Sequence, residues 1–195
     1  LAEIEREEAW CDDRSISPLP SVLDLLREAD LAPDYVNAKR ALLSVQQATE
    51  LRRKVAEFNS SCRWARGAKQ DFAVILNDRR VILGQMPLRL DEALSLGCLG
   101  HSEDMGKNNY FSHTGLTPET KTFSIRAKRA GFQGAPTGEC IFKGSPAAEA
   151  AHRAWWYSDG HRLIMYADGP NTLGLGVSGG IWTLNTGRMN HEVFR

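Results

Sequence analysis

No stretch of this 195-residue chain approaches the ~18 consecutive apolar residues of a membrane span, so the sequence contains no candidate membrane-spanning helix. Net charge is lacking as well. The 24 Lys and Arg balance 24 Asp and Glu, which excludes the simplest nucleic-acid or polybasic membrane binder, since both need an excess of cations. There is no GxSxG, HExxH or P-loop pattern, no internal repeat and no low-complexity segment. Cysteine is sparse: Cys11, Cys62, Cys98 and Cys140 form no CxxC pair, against a zinc ribbon or a thioredoxin-type redox motif. Three disulfide pairings are open, and so is a set of buried free thiols.

The neutrality is uneven. Residues 1–34 hold ten acids and three bases (−7), residues 35–89 eleven bases and four acids (+7), and residues 90–195 ten of each. Hydrophobic content of 42% and charged content of 25% are ordinary for a globular protein, and the length suits one domain with an appendage. The chain starts at Leu1 rather than Met, which reads as a trimmed or mature fragment with room for a removed signal peptide.

Residues 1–67 read as helical. Glu3 to Cys11 is an acidic helix-like segment, and Ser21 precedes an apolar stripe of Val22, Leu23, Leu25, Leu26 and Ala29. After Pro33, Tyr35, Ala38, Leu42, Val45, Ala48, Leu51, Val55 and Phe58 recur at steps of three and four, the face of one long helix. The opposite charges of these segments suggest a helical hairpin whose faces attract; the functional alternative is a docking arm for a protein partner.

Residues 68–195 read as a separate domain. Phe72 to Leu83 forms a helix stopped by Gly84 and Pro87, and Asp91 caps the next, which aligns Leu94, Cys98, His101 and Met105 on one face. A basic helix is expected from Pro118 to Ala130, closed by Gly131. Another starts at Ser145-Pro146, with Ala147, Ala151, Ala154 and Trp155 inward and Gly160 as its end. A short strand fits 137–144. Leu173, Leu175 and Val177 alternate with small residues, and Ser178-Gly179-Gly180 turns the chain into Ile181 to Leu184. Helices interleaved with hairpin strands indicate an α+β fold, an αβα layered domain with an antiparallel sheet.

Three stretches concentrate polar residues. Tyr110-Phe111-Ser112-His113 places aromatics beside an imidazole in a turn. Gly138-Glu139-Cys140 places a carboxylate at the start of an apolar strand, where burial requires a partner. Trp155 to Arg162 runs a helix end into a Gly turn that presents His161. Glu149 and His152, three apart on a helix, read as a surface pair.

Taken in order, Leu76-Asn77-Asp78-Arg79-Arg80, Pro87-Leu88-Arg89-Leu90-Asp91, His101-Ser102-Glu103-Asp104-Met105, Tyr110-Phe111-Ser112-His113, Arg126 to Phe132, Gly138-Glu139, Trp155 to Arg162 and Leu173 to Val177 resemble a bacterial CAP domain. This is the cysteine-rich secretory protein, antigen 5 and pathogenesis-related 1 superfamily, also called the SCP domain. The resemblance covers residues 68–187. It implies an αβα three-layer sandwich with a small antiparallel sheet and a cleft lined by two His and two acids.

Residue by residue, His113 matches the first family His, Glu139 the Glu of the Gly-Glu-Asn motif, and His161 the second His. Ser158 stands at the fourth, normally acidic, position, and Cys140 stands for the usual Asn. The resemblance thus implies a ligand-binding set of His113, Glu139, Ser158 and His161. His113 and His161 become ligands for zinc or another divalent metal, weakly held, and Glu139 the candidate catalytic residue. It further implies a secreted or periplasmic protein that binds a small apolar, lipid or cell-wall-derived ligand; the zero net charge argues against a nucleic-acid partner. A metal-assisted hydrolase of peptide or cell-wall material is the second reading, and an interaction module working through residues 1–62 the third. A largely extracellular family also implies disulfides, paired as Cys11–Cys62 and Cys98–Cys140.

Overall fold

The computed structural model describes residues 34–190, without the side chains of residues 34–46 and Ala48. The acidic segment Glu3 to Cys11, the stripe after Ser21 and hence the helical hairpin lie outside the described residues. The chain divides into two compact units, Leu1–Thr49 and Glu50–Arg195. Helix α1 (Asp34–Ser61) follows the long stripe read from the sequence. From Val55 onward its apolar face joins the second unit: Val55, Asn59 and Cys62 are buried, and Phe58 packs on the same cluster as Phe72 and Leu88. Residues 50–67 belong to the larger of these two units.

A one-turn 3₁₀ segment, Arg63–Ala65, leads into α2 (Ala68–Ile82), which ends at Gly84, where φ of +74° is open to glycine at little cost. A two-residue strand β1 (Arg89–Leu90) follows, then α3 (Glu92–Lys107). Asp91 caps α3 as expected, its Oδ1 accepting from Leu94 N at 2.8 Å. Leu94, Cys98, His101 and Met105 are all buried on one face.

Helix α4 (Phe123–Arg129) is shorter than the 118–130 span expected. Thr117 and Thr120 tie residues 117–120 into a turn, Gly115 N donates to Lys121 O, and Thr122 becomes the cap through Ile125 N. Strand β2 (Ala135–Lys143) precedes α5 (Ala148–Trp156), which opens two residues beyond Pro146. Ser145 Oγ accepts from Ala147 N, an alternative to helix for that peptide, and shifts the buried face to Ala148, Ala151, His152 and Trp155. Ala147 and Ala154 are exposed. Gly160 does not end a helix either. The break falls at Tyr157-Ser158, and Gly160 lies inside α6 (Asp159–Met165).

Strands β3 (Thr172–Ser178) and β4 (Ile181–Arg188) form the expected hairpin, with Gly179 and Gly180 both at positive φ in its two-residue turn. The sheet order is β1-β3-β4-β2. β2, β4 and β3 are antiparallel, but β1 runs parallel to β3, so the sheet is mixed rather than wholly antiparallel.

Alternation along the strands separates two faces. Leu173, Leu175, Trp182, Leu184 and Cys140 face α2 and α5, where Phe72, Leu76, Ala151, Trp155 and Met165 complete the main core. Gly174, Gly176, Thr183 and Asn185 face α3. The missing Cβ atoms matter there: one built at Gly176 would stand 2.1 Å from Leu99 N. The result is the αβα three-layer sandwich.

This layering forbids one of the expected disulfides. Cys98 lies on the α3 face, its thiol donating to Asn185 Oδ1 at 3.0 Å, while Cys140 points into the opposite core beside Trp155. Cys62, Cys98 and Cys140 are buried free thiols, so Cys98–Cys140 is corrected: the sheet stands between them. Cys62 Sγ lies 3.4 Å from Phe58 O, and its expected partner Cys11 is outside the described residues.

Candidate functional site

Glu139 lies in β2 opposite Asn185 of β4, with both side chains on the α3 face of the sheet. Its side chain is 2% exposed, a position that a carboxylate holds only when paired. Two partners supply the pairing. Arg126 of α4, itself buried, donates from Nη2 to Oε2 at 2.5 Å, and His113 Nδ1 stands 3.0 Å from Oε1. Asn185 Nδ2 adds a longer contact to Oε2 at 3.4 Å, its amide oriented by the Cys98 thiol on Oδ1. Burial pushes the Glu139 carboxyl up. The His113 hydrogen bond and the Arg126 charge together outweigh that and hold it below its ordinary range.

An ionised carboxylate only accepts, so His113 donates from Nδ1, and in the neutral form of the ring Nε2 is the lone pair. That imidazole is 55% exposed. The arrangement is a carboxylate–imidazole pair with its basic nitrogen turned to the outside. Arg126 also holds the loop beneath it, donating from Nη1 to His113 O at 3.2 Å and Thr120 O at 2.6 Å.

The second half of the site is α6. Ser158 is its N-cap residue, and His161 follows three positions later, with Nδ1 2.8 Å from Ser158 Oγ. Burial first, and then the charge of His113, lower the His161 pKa. The four residues named from the resemblance thus form two hydrogen-bonded pairs, His113–Glu139 and Ser158–His161.

The aromatic side chains of the site-bearing segments differ in exposure, and the Trp155 ring stands 6.3 Å from that of His161. Trp155 is core, donating Nε1 to Ile141 O at 3.0 Å, and Trp156 packs against His152 and Tyr166. The exposed apolar groups on the site-bearing segments are instead Phe111 and Leu116 around His113, and Tyr157 and Leu163 around His161. A separate groove of ≈260 Å³ lies between α3 and α4, lined by His101, Asp104, Arg126 and Arg129 among others, and does not include His113 or His161.

The donor set fits a resident metal poorly. Glu139 has both oxygens engaged, and each imidazole uses Nδ1 on a neighbour, which leaves two Nε2 atoms. Zinc sites draw three or four protein ligands, and no group of three or more His, Cys, Asp or Glu suited to a metal occurs among the described residues.

Sequence reading missed four supports. Arg126 was one residue of a basic helix, Asn185 an unremarked polar position in a strand, Cys98 a disulfide candidate, and His101 a helix-face residue. Their signal was polarity at positions that periodicity makes buried. The reverse error befell His152, which is buried and bonds Tyr166 OH at 2.8 Å rather than pairing with Glu149 at the surface.

Comparison with known proteins now adds a lineage to this geometry. The uncharacterized protein YkwD of Bacillus subtilis is 29% identical over 189 residues, covering 93% of this chain and 60% of its own length. The uncharacterized membrane protein YlbC of the same organism is 33% identical over 111 residues, 57% of this chain and 32% of its own length. The chain therefore spans less than two thirds of both relatives. Among solved structures, an extracellular protein containing an SCP domain from Bacillus anthracis shares 34% identity at a TM-score of 0.56, covering 62% of this chain and 40% of that one. An outer surface protein of Borrelia burgdorferi, at 16% identity and a TM-score of 0.57 over 65% of this chain and 96% of that one, shares the fold. Residues 75–181 match the sequence pattern of the CAP, or cysteine-rich secretory protein, family, and the chain belongs to that family.

Proposed function

We propose that this chain is an extracellular binding module that holds a small apolar or cell-wall-derived ligand against the His113–His161 cleft without turning it over. The observation that carries the reading is the burial and pairing of Glu139: with Oε1 on His113, Oε2 on Arg126 and Asn185, and a side chain only 2% exposed, the carboxylate braces an imidazole and is itself shielded from a ligand. What faces outward is one acceptor nitrogen, His113 Nε2, flanked along the chain by exposed Phe111 and Leu116. Tyr157, three-quarters exposed, and Leu163 flank the second pair. An acceptor among apolar groups suits a ligand with a hydroxyl or amide head and an apolar body. The extracellular setting is drawn from the Bacillus anthracis relative.

A hydrolase remains the second reading because of one contact, Ser158 Oγ to His161 Nδ1 at 2.8 Å, the distance of a nucleophile and its base. Titration calorimetry with dodecanol micelles and with muramyl dipeptide, together with assay of peptide and peptidoglycan cleavage, separates the two. Binding of one probe weakened at least tenfold by His113→Ala, with no cleavage, supports the module. Cleavage abolished by Ser158→Ala or His161→Ala establishes the hydrolase. Affinity for both probes unchanged in a folded His113→Ala protein overturns the binding reading.

A further inference from the structure

His113 sits in a connection with no regular secondary structure, between α3 and α4. Its position is nevertheless fixed at consecutive backbone groups. Arg126 Nη1 takes His113 O, and Ser112 Oγ accepts from Thr114 N at 3.0 Å. The carbonyl before it, Ser112 O, is taken by His101 Nε2 at 2.9 Å. His101 belongs to α3, is 1% exposed and stands with its ring edge-on to Tyr110, 6.2 Å between centroids. It reaches the loop from α3 through a ring that is itself almost wholly buried.

The chemistry of His101 is fully determined by these neighbours. A carbonyl only accepts, so Nε2 carries the proton and Nδ1 is a lone pair. Burial and the Arg126 charge lower its pKa, which keeps the ring neutral. Nδ1 has no hydrogen-bond partner among the protein groups of the described residues. The one hydrogen bond that this buried ring makes to them is therefore the one to the loop carbonyl, Ser112 O.

We propose that His101 is a positioning residue for the candidate site: by holding Ser112 O it sets the loop so that the His113 ring meets Glu139 through Nδ1 and presents Nε2 outward. The effect is on the geometry and tautomer of His113, so it can be read without any ligand and stands or falls separately from the binding reading above.

The test is long-range proton–nitrogen correlation of the histidine side chains in the full chain, which distinguishes the protonated from the lone-pair nitrogen of each ring. Wild-type protein is expected to show His113 in the Nδ1–H form. His101→Gln retains a donor at the position of Nε2 and keeps that form. His101→Met, similar in volume and without the donor, loses it to a mixture of tautomers while the fold persists. A His113 signature unchanged in His101→Met, or lost equally in His101→Gln and His101→Met, overturns the proposal. Should His101→Met fail to fold, wild-type protein decides: scalar coupling across the hydrogen bond between His101 Nε2 and the Ser112 carbonyl carbon supports it, and absence of that coupling overturns it.

Discussion

Arg126 and Glu139 meet at 2.5 Å with side chains 5% and 2% exposed, each the other's charge partner in the interior. Such a pair is evidence of interdependence more than of net stability, because desolvating both ions offsets most of their attraction. Removing one partner is a different matter, since the survivor is left charged and buried. Arg126→Ala and Glu139→Ala are each expected to lose about 3–5 kcal/mol of folding free energy, and the double variant much less than the sum. Urea denaturation of the four proteins checks this. Single losses under about 1 kcal/mol, or strict additivity, would show that the pair is not coupled as described.

Much of this arrangement was readable beforehand, and the failures share a cause. The Asp91 cap and the Leu94–Cys98–His101–Met105 stripe are local rules and both hold. The Leu-Gly alternation of β3 marked a strand, though only the structure shows its glycines turned to α3. His113, Glu139, Ser158 and His161 came from the family resemblance. The burial of Arg126 and His152 did not come from the sequence, because burial of a polar helical residue depends on partners far along the chain: His152 bonds Tyr166, fourteen residues on. β1 escaped because two residues carry no period, and its parallel pairing with β3 made the sheet mixed. The Cys98–Cys140 bridge failed for want of the same information, namely which side of the sheet each thiol occupies.

Acid should destabilise the fold well before the carboxylates titrate. Burial, and then the Arg79 charge, lower the His152 pKa to about 4 from 6.5. Between those values the unfolded chain binds a proton that the folded one does not, so the contribution is complete above pH ~6.5 and is lost as pH falls toward 4, on the order of 2–3 kcal/mol. His101 and His161, also lowered chiefly by burial, act with the same sign. His152→Gln can still bond Tyr166 but cannot titrate in this window. Its stability measured from pH 7 to 4 is expected to fall less steeply than wild type, and parallel curves would remove His152 from the account.

Glu139 titrates lower. With its folded pKa depressed, its contribution is present above the ordinary carboxylate value of ~4.3 and lost as pH falls through the folded value. The Glu139→Gln protein should therefore lose the steepest part of the acid transition below pH ~4, after the histidine part is complete. Denaturant titrations at pH 5, 4 and 3 read this directly, and an unchanged acid limb would place the transition on other carboxylates.

The thiols should be inert in the native state. Burial pushes the Cys98 and Cys140 thiols well up, and burial also raises Cys62. Iodoacetamide is expected to leave all three unmodified in folded protein and to label them after denaturation without reductant. Non-reducing peptide mapping that finds Cys98 joined to Cys140 would mean that the strand alternation described here is wrong at Cys140.

Helix α3 lies close on β3, and one glycine from each of these elements makes a prediction opposite to the other's. A Cβ at Gly176 would lie 2.1 Å from Leu99 N and 2.3 Å from Cys98 C, both backbone atoms that move only if the helix moves. Gly176→Ala should therefore lift α3 off the sheet, and with it Cys98, the hydrogen bond on Asn185 and the His101 contact to Ser112. The loss is expected to exceed the ~1–3 kcal/mol of ordinary overpacking. Gly100, on α3 itself, would meet nothing within 4 Å. Gly100→Ala removes only the helix-interior penalty of glycine and should stabilise by about 0.5–1 kcal/mol. Thermal melts of the two variants against wild type decide the matter, because a helix free to shift away from the sheet would tolerate both, and a helix seated on β3 by these missing side chains tolerates only the second.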